Sequence, residues 1–305
     1  MNKVFLSIDE QIALLRSRGV ACDERAADIL TREGYYAIIN GYKGPFLNEG
    51  AQVEKDHFAP GTTLEDLYAL CRFDRELRGL TFKQIMHVET LLRSVISLSF
   101  CECHRRPNAY LDRNSYTSER HYLRGAGEYQ KDLDWLMNTL SRYAHAQAGQ
   151  DNVRVTWYQT HYDAIPLWVI FSDLTFGNLR YFYALMRKAE QQAVCERIMQ
   201  SSGRGAKERL HLTPRGVYAD LMCLVDVRNA CAHEERLYST RFGQDATTSF
   251  TDVLRVVRRY LTKDETRQFG MELVRMMDEF SQGQASLLRI LSTSGIREAA
   301  QELTG

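Results

Sequence analysis

The chain predicts an all-α fold, and three observations carry that prediction. One apolar stripe recurs at spacings of mostly three or four from about residue 64 to 103. Helix start and stop signals bracket most of the remaining apolar segments. No stretch alternates apolar and polar residues over a strand's length, and no internal repeat is visible.

Taken in order, Ser7 and Glu10 form a capping-box pattern before QIALLRSRG, which Gly19 ends. Asp23 is placed to cap a second short helix, ERAADILTRE, closed by Gly34. The Tyr- and Gly-rich GYYAIINGYKGPFL reads as irregular, and residues 48–62, with Pro60-Gly61, read as a loop. Thr63 opens the long stripe of Leu67, Leu70, Leu77, Leu80, Ile85, Val88, Leu92, Val95 and Ser99, with Asp74 at its one missing step. At ~1.5 Å per residue this spine helix would run about 60 Å, and Gly79 is a candidate kink.

Residues 104–127 are polar and read as a connection. A helix is expected at about 128–147, then a short one or a turn at VRVTWYQTHY. Pro166 starts IPLWVIFSDLTF, and Gly177 separates it from one long helix, NLRYFYALMRKAEQQAVCERIM. SSGRGAKE reads as a flexible basic linker. Thr213-Pro214 is a cap-plus-first-turn start for RGVYADLMCLVDVRNACAHEERL. Helices near 249–262 and 264–281 follow, then a weak tail. The division is thus an N-terminal region, 1–62, a main helical domain, 63–281, and a tail, 282–305.

Composition bounds the function. The chain has 305 residues, 44% hydrophobic and 26% charged, ordinary for a globular protein. Lys plus Arg equals Asp plus Glu at 39 each, which argues against a bulk electrostatic nucleic-acid binder but permits a local cationic site and self-association. Seven scattered cysteines fit a reducing cytoplasm better than a disulfide framework. CECH (101–104) lacks a second Cys/His pair at zinc-site spacing, so neither metal nor cofactor is expected. MNKVFLSIDE has no long apolar region, and no apolar run approaches the ~18 residues of a membrane span.

One segment stands out: VRNACAHEERLY, 227–238. Asn229 and His233 are four apart and share a helix face. Arg228 lies about 140° round the axis from His233, a gap that its long stem can bridge. The surrounding Leu221, Leu224, Val225, Ala230, Cys231 and Ala232 are small or apolar. Arg plus His without paired carboxylates suits metal-free RNA cleavage. A neutral imidazole takes the ribose 2′-OH proton, a protonated one donates to the leaving 5′-oxygen, and guanidinium holds the phosphorane. One motif offers one histidine, so acid and base together call for a symmetric homodimer. The same residues also fit a plain reading, helix-end capping and pairing with Asp226, Glu234 or Glu235. Spacing alone leaves both open.

RNACAHEERLY resembles the R-N-x-x-x-H-x-x-R-L segment of the abortive-infection Abi-like proteins, the AbiD/AbiF group of the HEPN superfamily. Three further blocks match in order: GYYAIINGYKGPF, then LYALCRFDRELRGLTFKQIMHVETLLRSVIS with Arg75, Arg78, Glu89 and Arg93, then PLWVIFSDLTFGNLRYFYALM. The likeness spans about 7–240. It implies a HEPN-type helical bundle with a long spine and additional N-terminal helices, and a metal-independent, usually dimeric endoribonuclease of phage defence or toxin–antitoxin control. It also implies catalytic Arg228, Asn229 and His233, with Arg236 at the motif's second Arg. An antitoxin, in some relatives a small structured RNA, is an implied partner. Tyr238-Ser239 stands where the family commonly has Trp-Asn, a difference expected to touch packing. Glu235 stands where nucleotide-modified HEPN toxins carry a tyrosine, which disfavours that control.

The other polar residues keep alternatives. Glu89 and Arg93 read as an i,i+4 ion pair or as lining that orients Arg228. Arg75 and Arg78 with Asp74 read as a solvated face or an RNA path. HRRP (104–107), GRGAKER (203–209) and RVVRRY (255–260) are local basic patches, and 181–183 read as core, with RNA-base stacking as the minor alternative. A catalytically silent RNA-binding or sensor module and a helical scaffold are the competing functions.

Overall fold

The computed structural model describes residues 4–48, 57–145, 153–205, 207–208, 210–243 and 245–305. Most of the expected 48–62 loop, and the expected helix end at 147, lie outside them. Among the described residues the fold is all-α, with isolated β-bridges as its only extended pairing.

Helix α1 (Ile8–Ser17) starts on the expected capping box of Ser7 and Glu10. Helix α2 (Ala26–Glu33) ends at Gly34, in a positive-φ conformation that glycine adopts without strain. Asp23 does not cap it; its carboxylate accepts the Arg25 N–H one turn earlier, at 3.0 Å. Short π and 3-10 turns at Tyr36–Asn40 and Gly44–Phe46 form the irregular stretch. Helix α3 (Leu64–Cys103) is the spine, capped by reciprocal Thr63–Asp66 bonds and unbroken through Gly79. Its stripe is buried as expected, with Leu80 alone half-exposed.

Then come α4 (Ala126–Ala144), α5 (Val153–His161) and α6 (Leu167–Asp173), the last preceded by Pro166. The break falls before Gly177, since Thr175 caps α7 (Phe176–Leu185). The expected single helix over 178–199 is two, α7 and α8 (Lys188–Ser201). Two side chains make that break. Glu190 accepts the Arg187 N–H, and the Gln191 amide donates to the carbonyls of Tyr183 and Ala184 at the end of α7. Helix α9 (Pro214–Ala232) starts where Thr213 accepts the Gly216 N–H, and α10 (Phe250–Arg258) and α11 (Lys263–Ser281) follow. The weak tail is ordered as α12 (Ala285–Ser294) and α13 (Ile296–Thr304), whose Leu287, Leu291, Ile296, Ala300 and Leu303 are buried.

The chain forms two compact units. The first comprises Met1–Thr81, His233–Thr240 and Gln268–Gly305. Its core holds Leu15, Ile38, Ile39, Leu67, Leu70, Leu273 and Met277, with Phe73 edge-on to Phe280. The second comprises Phe82–Ala232 and Arg241–Arg267. There α9 packs against α7, α8 and α10, around an aromatic cluster in which Phe182 meets Phe100 and Phe171 edge-on.

In the first unit α11 and α13 approach closely at Gly270. A Cβ there would stand 2.7 Å from the Ala300 carbonyl oxygen and 2.8 Å from the Leu303 Cβ. Gly270→Ala is therefore expected to destabilise by about 1–3 kcal/mol, the usual cost of overpacking, despite alanine's better helix propensity. Urea denaturation measures it; an unchanged midpoint would show that the two helices separate freely.

Candidate functional site

Arg228 and Asn229 lie near the C-terminal end of α9 in the second unit, and Asn229 is exposed. The Arg228 guanidinium donates one long bond, 3.4 Å, to the Asn229 side-chain oxygen. Its Nε is buried and has no hydrogen-bond partner. It makes no ion pair with Asp226, whose carboxylate instead accepts the Gly243 N–H. The pairing with Asp226 that the plain reading needs is therefore not made.

His233 follows α9 directly in the chain and belongs to the first unit, where its side chain is exposed and unpaired with Glu234 or Glu235. Glu234 takes φ +56°, the left-handed conformation usual for glycine or asparagine after a helix end. A glutamate held there costs about 1–2 kcal/mol. Backbone strain thus sits next to the candidate imidazole.

Asp74 secures the segment that follows. Its carboxylate, fully buried on α3, accepts the backbone N–H of Leu237 at 3.1 Å and of Tyr238 at 2.8 Å. It also accepts the Tyr42 hydroxyl at 2.9 Å and the Arg78 guanidinium at 2.6 Å. Arg78 donates onward to the Glu235 carbonyl at 3.3 Å. Burial pushes the Asp74 carboxyl up, while the donors from Tyr238, Leu237, Arg78 and Tyr42 oppose it. Leu237 is buried, and Tyr238 stacks on Tyr42 with ring centroids 6.3 Å apart. The Tyr238 position is thus one of packing, as expected.

The supporting residues divide. Arg78 is buried with Asp74, so that pair is no solvated face. Arg75 is exposed and bonds Glu33 on α2. Glu89 and Arg93 form the expected i,i+4 pair; Arg93 also donates to the Phe171 carbonyl, and neither bonds Arg228. Arg236 is exposed, and its carbonyl accepts the Thr240 hydroxyl.

Two basic patches prove structural. Arg204 is buried and donates to the carbonyls of Leu261 and Arg258 and to Thr266, so it is a buried strut in what reads as a flexible linker. Arg259 and Tyr260 both donate to the buried Asp220 carboxylate.

Sequence reasoning missed a cationic–aromatic cluster in the second unit. Phe182 and Tyr183 are core, as expected, but Tyr181 is half-exposed. The guanidiniums of Arg180 and Arg124 lie 4.8 Å and 5.2 Å from its ring centroid, and Trp135 lies 4.6 Å away. Arg180 also donates to the Met222 sulfur at 3.4 Å, and its Nε is buried without a partner. Met222 and Asn229 are seven apart on α9, one face about 10 Å along the axis. Arg124, Trp135 and Arg180-Tyr181 come from three separate segments, and no local motif ties them together.

Among the described residues no cluster of three His, Cys, Asp or Glu side chains is placed to hold a metal ion, and no helix is long and apolar enough to cross a membrane. A family model described as Abi-like protein matches residues 28–239, more than half of the chain. No curated protein and no solved structure matches it.

Two predictions follow from the geometry of the first unit. Asp74→Ala strands the Arg78 charge and two amides, so a loss of about 3–5 kcal/mol is expected, with early hydrogen exchange at Leu237 and Tyr238. Protection of both amides in the variant would show that another group holds the segment. Second, the Arg75 bond holds the Glu33 carboxyl below its usual range. A carboxylate depressed in the fold stabilises above its ordinary pKa of about 4.3, and that gain is lost as pH falls through the depressed value. Arg75 is half exposed, so Glu33→Gln should cost at most about 1 kcal/mol at neutral pH. The gap between the two proteins should close in acid, as urea midpoints across pH would reveal.

Proposed function

Given that the chain belongs to the Abi-like protein family, we propose that it is an endoribonuclease of the HEPN type, acting in the cytoplasm in abortive infection or toxin–antitoxin control. One observation carries this reading. Arg228, near the end of α9, has no acidic partner, and its buried Nε–H is unbonded. A guanidinium with no carboxylate to neutralise it suits a phosphate. Exposed Asn229 stands beside it, and exposed His233 is next in the chain after the helix, on a segment pinned by Asp74.

In the proposed reaction the neutral His233 imidazole takes the proton of a ribose 2′-OH. The freed oxygen attacks the neighbouring phosphorus. Negative charge grows on the phosphorane, where Arg228 offers its guanidinium and Asn229 its amide. The bond to the 5′-oxygen breaks, and a protonated imidazole returns a proton to that oxygen. The products are a 2′,3′-cyclic phosphate and a 5′-hydroxyl. No step requires a metal. Acid and base roles together call for two histidines, supplied by a homodimer with its cleft on the two-fold axis. Arg180, Tyr181 and Trp135 offer cationic and stacking contacts for a single strand along the face of α9 that carries Asn229. An antitoxin, such as a small structured RNA, would act by covering this site.

The test is cleavage of single-stranded RNA with EDTA present. Arg228→Ala and His233→Ala should each lower the rate by about 10²-fold or more with unchanged circular dichroism. Full activity in His233→Ala would refute the assignment. RNA bound but never cut by the wild-type chain would leave a silent RNA-binding module.

A further inference from the structure

The polar connection after α3 carries HRRP, a motif that the cleavage site does not use. In the second unit it forms a ridge between two cavities. One, of about 520 Å³, is largely apolar and is lined by Tyr162, Ile165, Trp168 and the ridge itself. The other, of about 620 Å³, is of mixed polarity and is lined by Arg187, Asn114, Ser115 and the same ridge. His104, Arg105, Arg106 and Pro107 belong to both.

Each side has a distinct chemistry. Trp168 sits at the start of α6 between buried Leu167 and Val169, yet it is 58% exposed, and Tyr162 is 57% exposed. Trp168 thus stands open on an apolar cavity of the size that small ligands occupy, beside Tyr162, which stacks on Tyr158 with centroids 5.5 Å apart. Across the ridge the charge is positive. Arg105 is exposed and makes no ion pair among the described residues. Arg106 pairs with Asp112 at 3.1 Å, and Arg187 donates to the Asn114 carbonyl. Asp163 lines the apolar cavity next to Tyr162, and Glu190, outside both linings, is buried against His104 at 2.7 Å. That bond and the Phe100 ring, 4.4 Å from the imidazole, hold the ridge's first residue in place.

We propose that the two cavities form one nucleotide-binding site, with the base stacked on Trp168 and Tyr162 and the phosphate held by Arg105, Arg106 and Arg187. An aromatic compartment joined to a guanidinium-lined one matches the two halves of a nucleotide. A purely apolar ligand would leave the cationic half unused, and a simple anion would leave the rings bare. The unit is supplied either as a free nucleotide or within an RNA strand. The site lies apart in sequence from Arg228 and His233, and its occupancy does not depend on cleavage.

The experiment is calorimetry on the full chain, carrying His233→Ala so that RNA stays intact. The probes are the four 5′-mononucleotides, their nucleosides, and a ten-residue single-stranded RNA. At least one mononucleotide or the RNA should bind at submillimolar concentration. Trp168→Ala and Arg105→Glu, both at exposed positions and with unchanged melting, should each weaken binding by about tenfold or more. Met86→Ala, at an exposed position outside both cavities, should not. Nucleosides should bind more weakly than nucleotides to the parent chain but equally to Arg105→Glu. Binding of mononucleotides identifies a free-nucleotide site; binding of RNA alone identifies a strand site. No binding of either, or binding indifferent to both variants, overturns the proposal. Cleavage by the His233-containing chain is scored separately, so either result stands without the other.

Discussion

A single buried carboxylate organises the first unit. Asp74 has no exposure and gathers donors from Tyr42, Arg78, Leu237 and Tyr238. An uncompensated charge so placed would cost several kcal/mol. Here two successive backbone amides aim at it, so the carboxylate fixes a chain direction as well as a contact. The strand of chain after His233 cannot slide without stranding that charge. Arg78, reaching the Glu235 carbonyl, adds a second tie two residues earlier.

The same carboxylate joins distant sequence blocks. Tyr42 comes from the Tyr/Gly block, Asp74 and Arg78 from the spine block, and Glu235 to Tyr238 from the block that holds the candidate motif. The fourth block joins the spine in the second unit, where Arg93 donates to the Phe171 carbonyl. Their order in the chain reflects two polar anchors on one long helix, each made by a residue whose removal would leave a buried group unpaired.

Periodicity and capping were legible because they are local. The spine's bounds, its stripe and the Ser7 box required nothing beyond residues a few positions apart. What escaped reading depends on partners far along the chain. Asp74 sat in the stripe as a gap, and the two backbone amides it accepts, Leu237 and Tyr238, lie more than 160 residues away. The α7–α8 break depends on Gln191 reaching back to Tyr183, which helix propensity does not encode. Arg204 and Arg259 read as surface charge because their partners, Leu261 and Asp220, are elsewhere in the sequence. The Arg228–Asn229–His233 triplet was visible in sequence, but its freedom from acidic partners within each unit was not.

That freedom is the informative part. Leaving a buried N–H unbonded costs about 1–3 kcal/mol, and the second unit does so at Arg180, Arg197 and Arg228. Arg197 pairs with Glu102; Arg180 and Arg228, on α7 and α9, which pack together, make no ion pair among the described residues. Nearby arginines are otherwise well matched: Arg259 has Asp220, Arg93 has Glu89, Arg124 has Asp132. A chain with as many acids as bases has carboxylates enough to neutralise two more. An anion would recover the lost hydrogen bond only where the guanidinium turns its Nε outward on binding. Under the proposed function, a phosphodiester strand, with charges at regular intervals, is an anion able to meet two such donors in succession.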